Sequence, residues 1–272
     1  MDFKSRHVVI TGAANGMGRL LTERFLSLGA TVAAWDIDRK GLRSLEEQSG
    51  TRLLTCVCDV SDPIAIRRTA DQVLRDLDHV DILVNNAGIV SGSYLTELTD
   101  EALTRTFAVN TLALFRVAKA FLPSMIEKGG GHVVTIASAA GIVGSPRLSD
   151  YSASKFAAVG FDDSLRLEMK RLGYPIRTTL VCPFFVGTEM FSGVKSRFTF
   201  LLPVLRPEYV VERTIKAIYL RRERLVLPWF VYTTFPLRLL PVRTFDWLVT
   251  FFGITTAMDT FQGKMSRRND SE

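Results

Sequence analysis

Tyr151 and Lys155 stand at positions i and i+4 of the run Tyr151-Ser-Ala-Ser-Lys155. On a helix that spacing puts both side chains on one face, about one turn apart. A phenol titrates near ~10 and is a poor proton acceptor at neutral pH. An ammonium held beside it favours the phenolate, so the pair is a candidate general acid/base. Taken alone, such a pair is also an ordinary solvated helix face. Other features change its weight. A glycine-rich turn opens the sequence at Thr11-Gly-Ala-Ala-Asn-Gly-Met-Gly18, Asn85-Asn-Ala-Gly88 lies mid-chain, and Ser138 comes thirteen residues before Tyr151.

The elements that must position these groups follow from the apolar pattern. Short β-branched runs from His7 to Thr11 and from Thr31 to Trp35 flank a helix that begins in the glycine turn and stops at Gly29, which is a βαβ unit. Further strands are predicted at Leu53 to Val57, Val80 to Val84, His132 to Ala137, Ile176 to Val181 and Leu225 to Leu227. Helices are predicted from Asp100 to Glu127, closed by Gly129-Gly-Gly131, and from Pro207 to Leu220. In a βαβ unit the glycines permit close backbone approach, and the helix N-terminus presents free N–H groups to a pyrophosphate. Asp36 directly follows the second strand, where a carboxylate accepts from both hydroxyls of a ribose and repels a 2′-phosphate. Ile37 offers no compensating cation and Arg39 offers one, so NAD is expected over NADP. Asp36 is equally placed to cap the next helix. Ser61 reads as an N-cap with Pro63 in the first turn behind it.

Gly12, Gly16 and Gly18 with the Asn85-Asn-Ala-Gly88 turn, Ser138 and the Tyr151/Lys155 pair, in this order and spacing, resemble the short-chain dehydrogenase/reductase family in its single-domain form. The resemblance runs from about His7 to Leu227. It implies a Rossmann-like, doubly wound, seven-stranded parallel sheet with helices on both faces. It implies catalytic roles for Asn110, Ser138, Tyr151 and Lys155, with Ser138 holding the substrate oxygen and Asn110 bending its helix and holding a water that links Lys155 to solvent. It assigns Gly12, Asn15, Gly16, Met17, Gly18 and Asp36 to the cofactor, Asp59 and Val60 to the adenine, and Asn86, Ala87 and Gly88 to a close passage beside it. Tyr151 and Lys155 also meet the cofactor, and Pro183, Val186 and Thr188 line the nicotinamide. Phe184 departs from the pattern, which has glycine there.

Apolar residues make up 47% of the 272, enough for one large α/β core. The formal net charge is +6, but the N-terminal two thirds lack a basic stripe interleaved with aromatics, which argues against nucleic acid. Arg221, Arg222, Arg224, Arg238, Arg243, Lys264, Arg267 and Arg268 gather late and flank apolar stretches, as on a protein that touches an anionic membrane surface or simply carries a solvated basic face. Cys56, Cys58 and Cys182 form no disulfide framework and read as small buried hydrophobes. His7, His79 and His132 are not spaced with Cys or carboxylate as a ligand set, so no metal is expected. The chain opens without a signal sequence, and free thiols suit an intracellular, reducing compartment, cytoplasmic or peripherally membrane-associated.

Two domains of sequence follow: 1–227, the dinucleotide-binding and catalytic part with a substrate loop at about 187–206, and 228–272, an apolar C-terminal extension. The loop carries Met190, Phe191, Phe198, Phe200, Leu201 and Leu202 and reads as a lid over an apolar substrate. The extension, rich in aromatics, packs on the substrate side, a membrane or an oligomer interface. Its ending resembles the retinol dehydrogenase and 17β-hydroxysteroid dehydrogenase branch. The expected activity is NAD-dependent interconversion of an apolar alcohol (retinoid, hydroxysteroid or long-chain alcohol) and its aldehyde or ketone, in a homodimer or homotetramer. The alternative is a non-catalytic NAD(H)-binding or lipid-surface protein.

Overall fold

The computed structural model describes residues 2–263; the end of the extension, with Lys264, Arg267 and Arg268, lies outside them. The strands are β1 (His7–Thr11), β2 (Thr31–Asp36), β3 (Leu53–Val57), β4 (Ile82–Asn85), β5 (Gly131–Ile136), β6 (Ile176–Pro183) and β7 (Arg224–Leu227). They form one seven-stranded sheet in the order β3-β2-β1-β4-β5-β6-β7, and every pairing is parallel. Its central strands are buried on both faces, as Val8, Val9, Ile10, Leu83, Val84, Val133 and Val134 show at 0% exposure, which is why they read as continuous apolar runs.

Helices cover both faces: α1 (Gly16–Ser27), α2 (Arg39–Gln48), α3 (Pro63–Leu77), α4 (Asp100–Phe107), α5 (Ala113–Glu127), α6 (Ser149–Leu172) and α7 (Pro207–Tyr219). Two cap assignments differ from the sequence reading. Asp38, not Asp36, caps α2, accepting from Lys40 N and Gly41 N. Asp62, not Ser61, caps α3, and the Ser61 hydroxyl instead donates to Asp59 at 2.7 Å. In each case a carboxylate next to the helix start is the better acceptor for free N–H groups. The Asp100–Glu127 helix is continuous but passes through a π turn at Ala108–Leu112. It is the one helix among the described residues long and apolar enough to cross a membrane, yet half of its most apolar window is buried, and α5 packs against α3, β4 and β5. That is the pattern of a core helix.

Beyond β7 the chain makes a short 3-10 turn at Trp229–Thr233, then α8 (Thr234–Leu237) and α9 (Val242–Phe251). Ala257 and Met258 return to the core at 3% and 1% exposure. The late basic residues do not share one surface. Arg224 donates to both carboxylate oxygens of Asp163 at 2.8 and 2.9 Å, Arg238 stacks 5.0 Å over Phe156, and Arg221 turns toward the amino ends of the strands.

Asp162 of α6 is 1% exposed, and burial pushes its carboxyl up to about 7, against the opposing bond from Thr178. An unfolded aspartate titrates near ~3.9. The raised folded value therefore contributes stability that is fully present below the unfolded pKa and is lost as pH rises through about 7. Asp162→Asn, whose amide can donate to Thr135 beside it, should melt higher than the parent, by an increment on the order of 3 kcal/mol at pH 8 that shrinks toward pH 5. An increment that is flat with pH, followed by calorimetry, rules the assignment out.

Candidate active site

The candidate residues lie along the carboxyl edge of the sheet, whose strand order reverses where β1 and β4 lie side by side. Turns leaving β1 and β4 cross there. Thr11 Oγ1 accepts from Asn86 N and Ala87 N, each at 3.1 Å, and Asn86 Nδ2 donates to Thr11 O at 2.9 Å and Gly12 O at 3.1 Å. The crossing is so close that a Cβ on Gly18 would lie 1.9 Å from Gly12 O, and one on Gly12, at φ +67°, would lie 2.9 Å from Ala87 Cα. Thr11 is a positioning group that its strand-end place in the sequence did not reveal.

A nicotinamide dinucleotide fits this edge. Of the first four helices, α1 alone has no side-chain cap, because Asn15 donates its amide to Asp38 Oδ2 at 2.9 Å; its leading N–H groups are left for an anion. Asp36 ends β2 partly exposed and accepts from Ala14 N and Asp38 N, each at 2.9 Å. A carboxylate has about four acceptor sites, so capacity remains for a ribose. Asp59 follows β3. Burial works to raise its carboxyl, and the bonds from the Ser61 hydroxyl and N–H outweigh it, holding it low and charged. Val60 beside it is buried. Met17 lies partly buried in the first turn of α1, and a Cβ on Gly16 would touch the Thr188 methyl at 3.6 Å, so the glycine turn and the segment after β6 face one another. Val186 is buried and bridges to Leu205.

Ser138 follows β5, and Tyr151 and Lys155 share a face of α6, at 8%, 4% and 4% exposure. Ser138 Oγ accepts from Ala140 N at 3.1 Å and donates to Pro183 O at 3.4 Å. Asn110 sits in the π turn at 1% exposure. Its Oδ1 accepts from Ile89 N at 2.8 Å, and its Nδ2 donates to Ile89 O at 2.9 Å and Ser154 Oγ at 3.0 Å. The helix is distorted into a π turn at this residue, and the side chain spends both amide hydrogens tying the segment after the Gly88 turn to α6. A Cβ on Gly88 would lie 3.5 Å from both Asn110 Oδ1 and Lys155 Nζ. Asp150, which sequence reasoning passed over, is 3% exposed and accepts from Ser91 Oγ at 2.9 Å and Thr106 Oγ1 at 2.8 Å, tying the start of α6 to the loop after the Gly88 turn and to α4.

The acid/base pair differs from the sequence expectation in one respect. Lys155 Nζ donates to Ile136 O at 2.9 Å and lies 5.6 Å from the centre of the Tyr151 ring. Burial pushes the Tyr151 phenol well above its ordinary range, with the Ser138 hydroxyl working the other way, and burial pulls Lys155 down to about 8. Lys155 therefore does not by itself lower the phenol, because desolvation dominates the site before a cofactor's charge enters it.

Apolar walls close over the tyrosine. Phe191 meets its ring edge-on at 5.7 Å. The C-terminal segment is sewn across the mouth: Ser145 Oγ donates to Ile254 O, Arg147 Nη1 to Met258 O, and Thr260 Oγ1 to Gly193 O, at 2.6–2.9 Å. Gly92 takes no side chain because a Cβ there would lie 2.0 Å from the Phe261 ring. Phe184, at the position expected to hold glycine, has an ordinary negative φ and turns its ring into an apolar cavity of about 40 Å³ between Ala139, Leu202, Phe230 and Phe252.

His7, His79 and Asp81 come together although the sequence does not space them as ligands; their candidate donor atoms lie within 4.8 Å of one another because β1 pairs with β4. Each is already engaged: His7 Nδ1 with His79 O, His79 with Asp78 and Asp81, and Asp81 with Arg6 and His7 N. Cys56, Cys58 and Cys182 are free and buried, and burial raises all their thiols, Cys56 and Cys182 to about 12.

Comparison with known proteins gives a consistent result. The family model described as short chain dehydrogenase matches residues 6–197. The chain is 44% identical over 234 residues to short-chain dehydrogenase/reductase family 16C member 6 of Bos taurus, covering 84% of this chain and 74% of that protein. It is 42% identical over 262 residues to epidermal retinol dehydrogenase 2 of Homo sapiens, covering 93% and 84%. A short-chain dehydrogenase/reductase from Burkholderia phymatum, solved in complex with NAD, superposes with a TM-score of 0.78 at 26% identity, covering 86% of this chain and 93% of that one.

Proposed function

The chain belongs to the short-chain dehydrogenase/reductase family, beside its retinol dehydrogenases, and we propose that it interconverts an apolar alcohol and its carbonyl with NAD. It is a nicotinamide-dependent oxidoreductase, so the non-catalytic alternative falls away. The observation that carries the reading is the buried set of Ser138, at the carboxyl end of β5, with Tyr151 and Lys155 on one face of α6, on a sheet whose first βα turn leaves α1 uncapped.

A bound nicotinamide supplies the hydride acceptor. Tyr151 takes the hydroxyl proton of the alcohol while Ser138 holds its oxygen. Lys155, charged below about 8, would hold a ribose, and together with the positive charge of an oxidised nicotinamide it would offset the desolvation that raises the phenol. In the reducing direction Tyr151 returns the proton. Asn110 and Asp150 keep the segment after the Gly88 turn and α6 in register, so these groups meet the substrate without reorganising.

Phe184, Leu202, Phe230 and Phe252 favour a retinoid, hydroxysteroid or long-chain alcohol over a sugar. About 40 Å³ is too small for such a molecule, so loop 187–206 and the C-terminal segment part to admit it. Asp36 favours NAD. The test is nicotinamide absorbance at neutral pH with all-trans-retinol, estradiol and a long-chain alcohol, each with NAD and with NADP. One lipid alcohol should turn over, with NAD ahead of NADP by at least about tenfold, and Asp36→Ala should narrow that ratio by ~1–2 kcal/mol. Turnover of polar alcohols alone would sink the substrate class; a ratio unchanged in the variant would sink the role of Asp36.

Exposed Leu239, Val242 and Trp247 (88%, 74% and 62%), beside Arg238 and Arg243, support peripheral membrane contact through α9. Trp247→Glu should cut co-sedimentation with anionic vesicles severalfold at unchanged melting temperature; equal sedimentation discards the idea. Leu112 at the end of the π turn, Phe115 on α5, and Leu167 and Leu172 on α6, all exposed, support a homo-oligomer, which light scattering reads directly.

A further inference from the structure

The amino ends of the strands, opposite the catalytic edge, hold a second cavity. It has a volume of about 360 Å³ and is lined by Arg6, Lys128, His132, Arg177 and Arg221 around the Gly129–Gly131 turn. Its charge is one-sided. Asp81 is the lining carboxylate, and it is neutralised by Arg6 at 2.7 Å and by His7 N at 2.8 Å. Lys128 reaches Asp78 only at 3.5 Å, and that carboxylate is 83% exposed. Arg177 and Arg221 form no ion pair and no side-chain hydrogen bond among the described residues. Arg221 also holds a left-handed backbone at φ 55°, a conformation costing about 1 kcal/mol for a residue with a side chain.

His132 gives an independent sign. It is the second residue of β5, 1% exposed, with Nε2 2.7 Å from Thr179 Oγ1, and its Nδ1 has no partner. Such an atom normally finds a partner. Burial, with Arg177 and Arg221 adding to it, pushes the imidazole down to about 4, so the ring that lines the cavity with these two guanidiniums is neutral.

We infer that this cavity is a binding site for a phosphorylated small molecule, gripped through its phosphate by Arg177 and Arg221 and flanked by Lys128 and Arg6. Guanidinium forks match phosphate oxygens in pairs, and unpaired cations in a pocket suit a dianion. The volume lies within the ~300–1,000 Å³ of small-molecule sites, so more than the phosphate is enclosed. The same strands that start here, β1, β4, β5 and β6, end at the catalytic edge, so this site is separate from the cofactor's own phosphate contacts.

The test keeps the nucleotide site filled. With saturating NADH, calorimetric titration with inorganic phosphate, pyrophosphate and glycerol phosphate at constant ionic strength should show saturable binding. The Arg177→Ala/Arg221→Ala double variant should bind at least tenfold more weakly, with NADH affinity and melting temperature unchanged. Arg177→Lys/Arg221→Lys, which keeps the charge, should retain part of the affinity and guards against a folding artefact. Sedimentation with phosphatidic acid/phosphatidylcholine vesicles distinguishes a lipid headgroup from a free metabolite as the source of the phosphate; loss in the alanine variant with either probe supports the site. Absence of saturable binding to both kinds of probe, or titrations identical in parent and alanine variant, overturns it.

Discussion

Tyr151→Phe lowers turnover by about three orders of magnitude while NADH binds as in the parent. The phenol is 4% exposed, and the ring that Phe preserves still meets Phe191 edge-on at 5.7 Å, so packing is kept and only the proton-transferring oxygen is lost. The pH dependence identifies the partner. Burial raises the phenol and pulls Lys155 down to about 8, so in the protein alone the lysine discharges before the tyrosine, and the two titrate as a pair. Alcohol oxidation should therefore rise with pH over this range as the pair gives up protons toward the phenolate, and Lys155→Met should remove most of the rate. The measurement is steady-state kcat and kcat/KM over pH 6–10 with NADH fluorescence titrations alongside. Retention of more than a tenth of the parent kcat in Tyr151→Phe would falsify the acid/base assignment.

Gly18→Ala is the second large effect, and it separates cofactor binding from chemistry. The new methyl would lie 1.9 Å from Gly12 O, 2.8 Å from Gly12 C and 2.6 Å from Asn86 Nδ2. Backbone on one side cannot yield, so the crossing of the β1 and β4 turns must open. Overpacking of this kind costs about 1–3 kcal/mol of stability. Because the free N–H groups of α1 move with that turn, NADH affinity should fall by on the order of a hundredfold, ~2.7 kcal/mol. Gly160→Ala is the contrast: its Cβ meets nothing within 4 Å on an exposed stretch of α6, and it should leave binding unchanged and raise stability by about 0.5–1 kcal/mol. NADH titration and thermal melting of both variants decide the matter. A folded Gly18→Ala protein with parental NADH affinity would mean that the crossing is not the cofactor cradle.

Much of this was legible along the chain because it is local. Strand and helix identity followed from apolar runs and glycine stops, and the seven strands fall within a residue or two of the expected segments. The glycine turn, Asn110, Ser138, Tyr151 and Lys155 were legible because their types and spacing are chemically specific, and the fold brings Asn110, Ser138, Tyr151 and Lys155 to one edge of the sheet. Caps were misread by one or two residues at Asp36 and Ser61 because several acceptors crowd each helix start, and only the backbone path selects Asp38 and Asp62.

What the tertiary structure alone decided depends on which strands become neighbours. Parallel pairing of β1 with β4 puts Arg6 against Asp81 and Thr11 under Asn86, contacts about 75 residues apart that no local pattern encodes. The same pairing joins His7, His79 and Asp81. It was folding, too, that turned the Phe184 ring into the apolar cavity, folded residues 254–260 across the mouth, and set Lys155 on Ile136 O rather than on the phenol. Sequence determined the elements and the chemical groups, since propensity, turn chemistry and side-chain type act over a few residues. Burial, and with it the raised Tyr151 phenol, the lowered Lys155 and His132 and the one-sided charge of the second cavity, arises only when distant segments exclude water from one another.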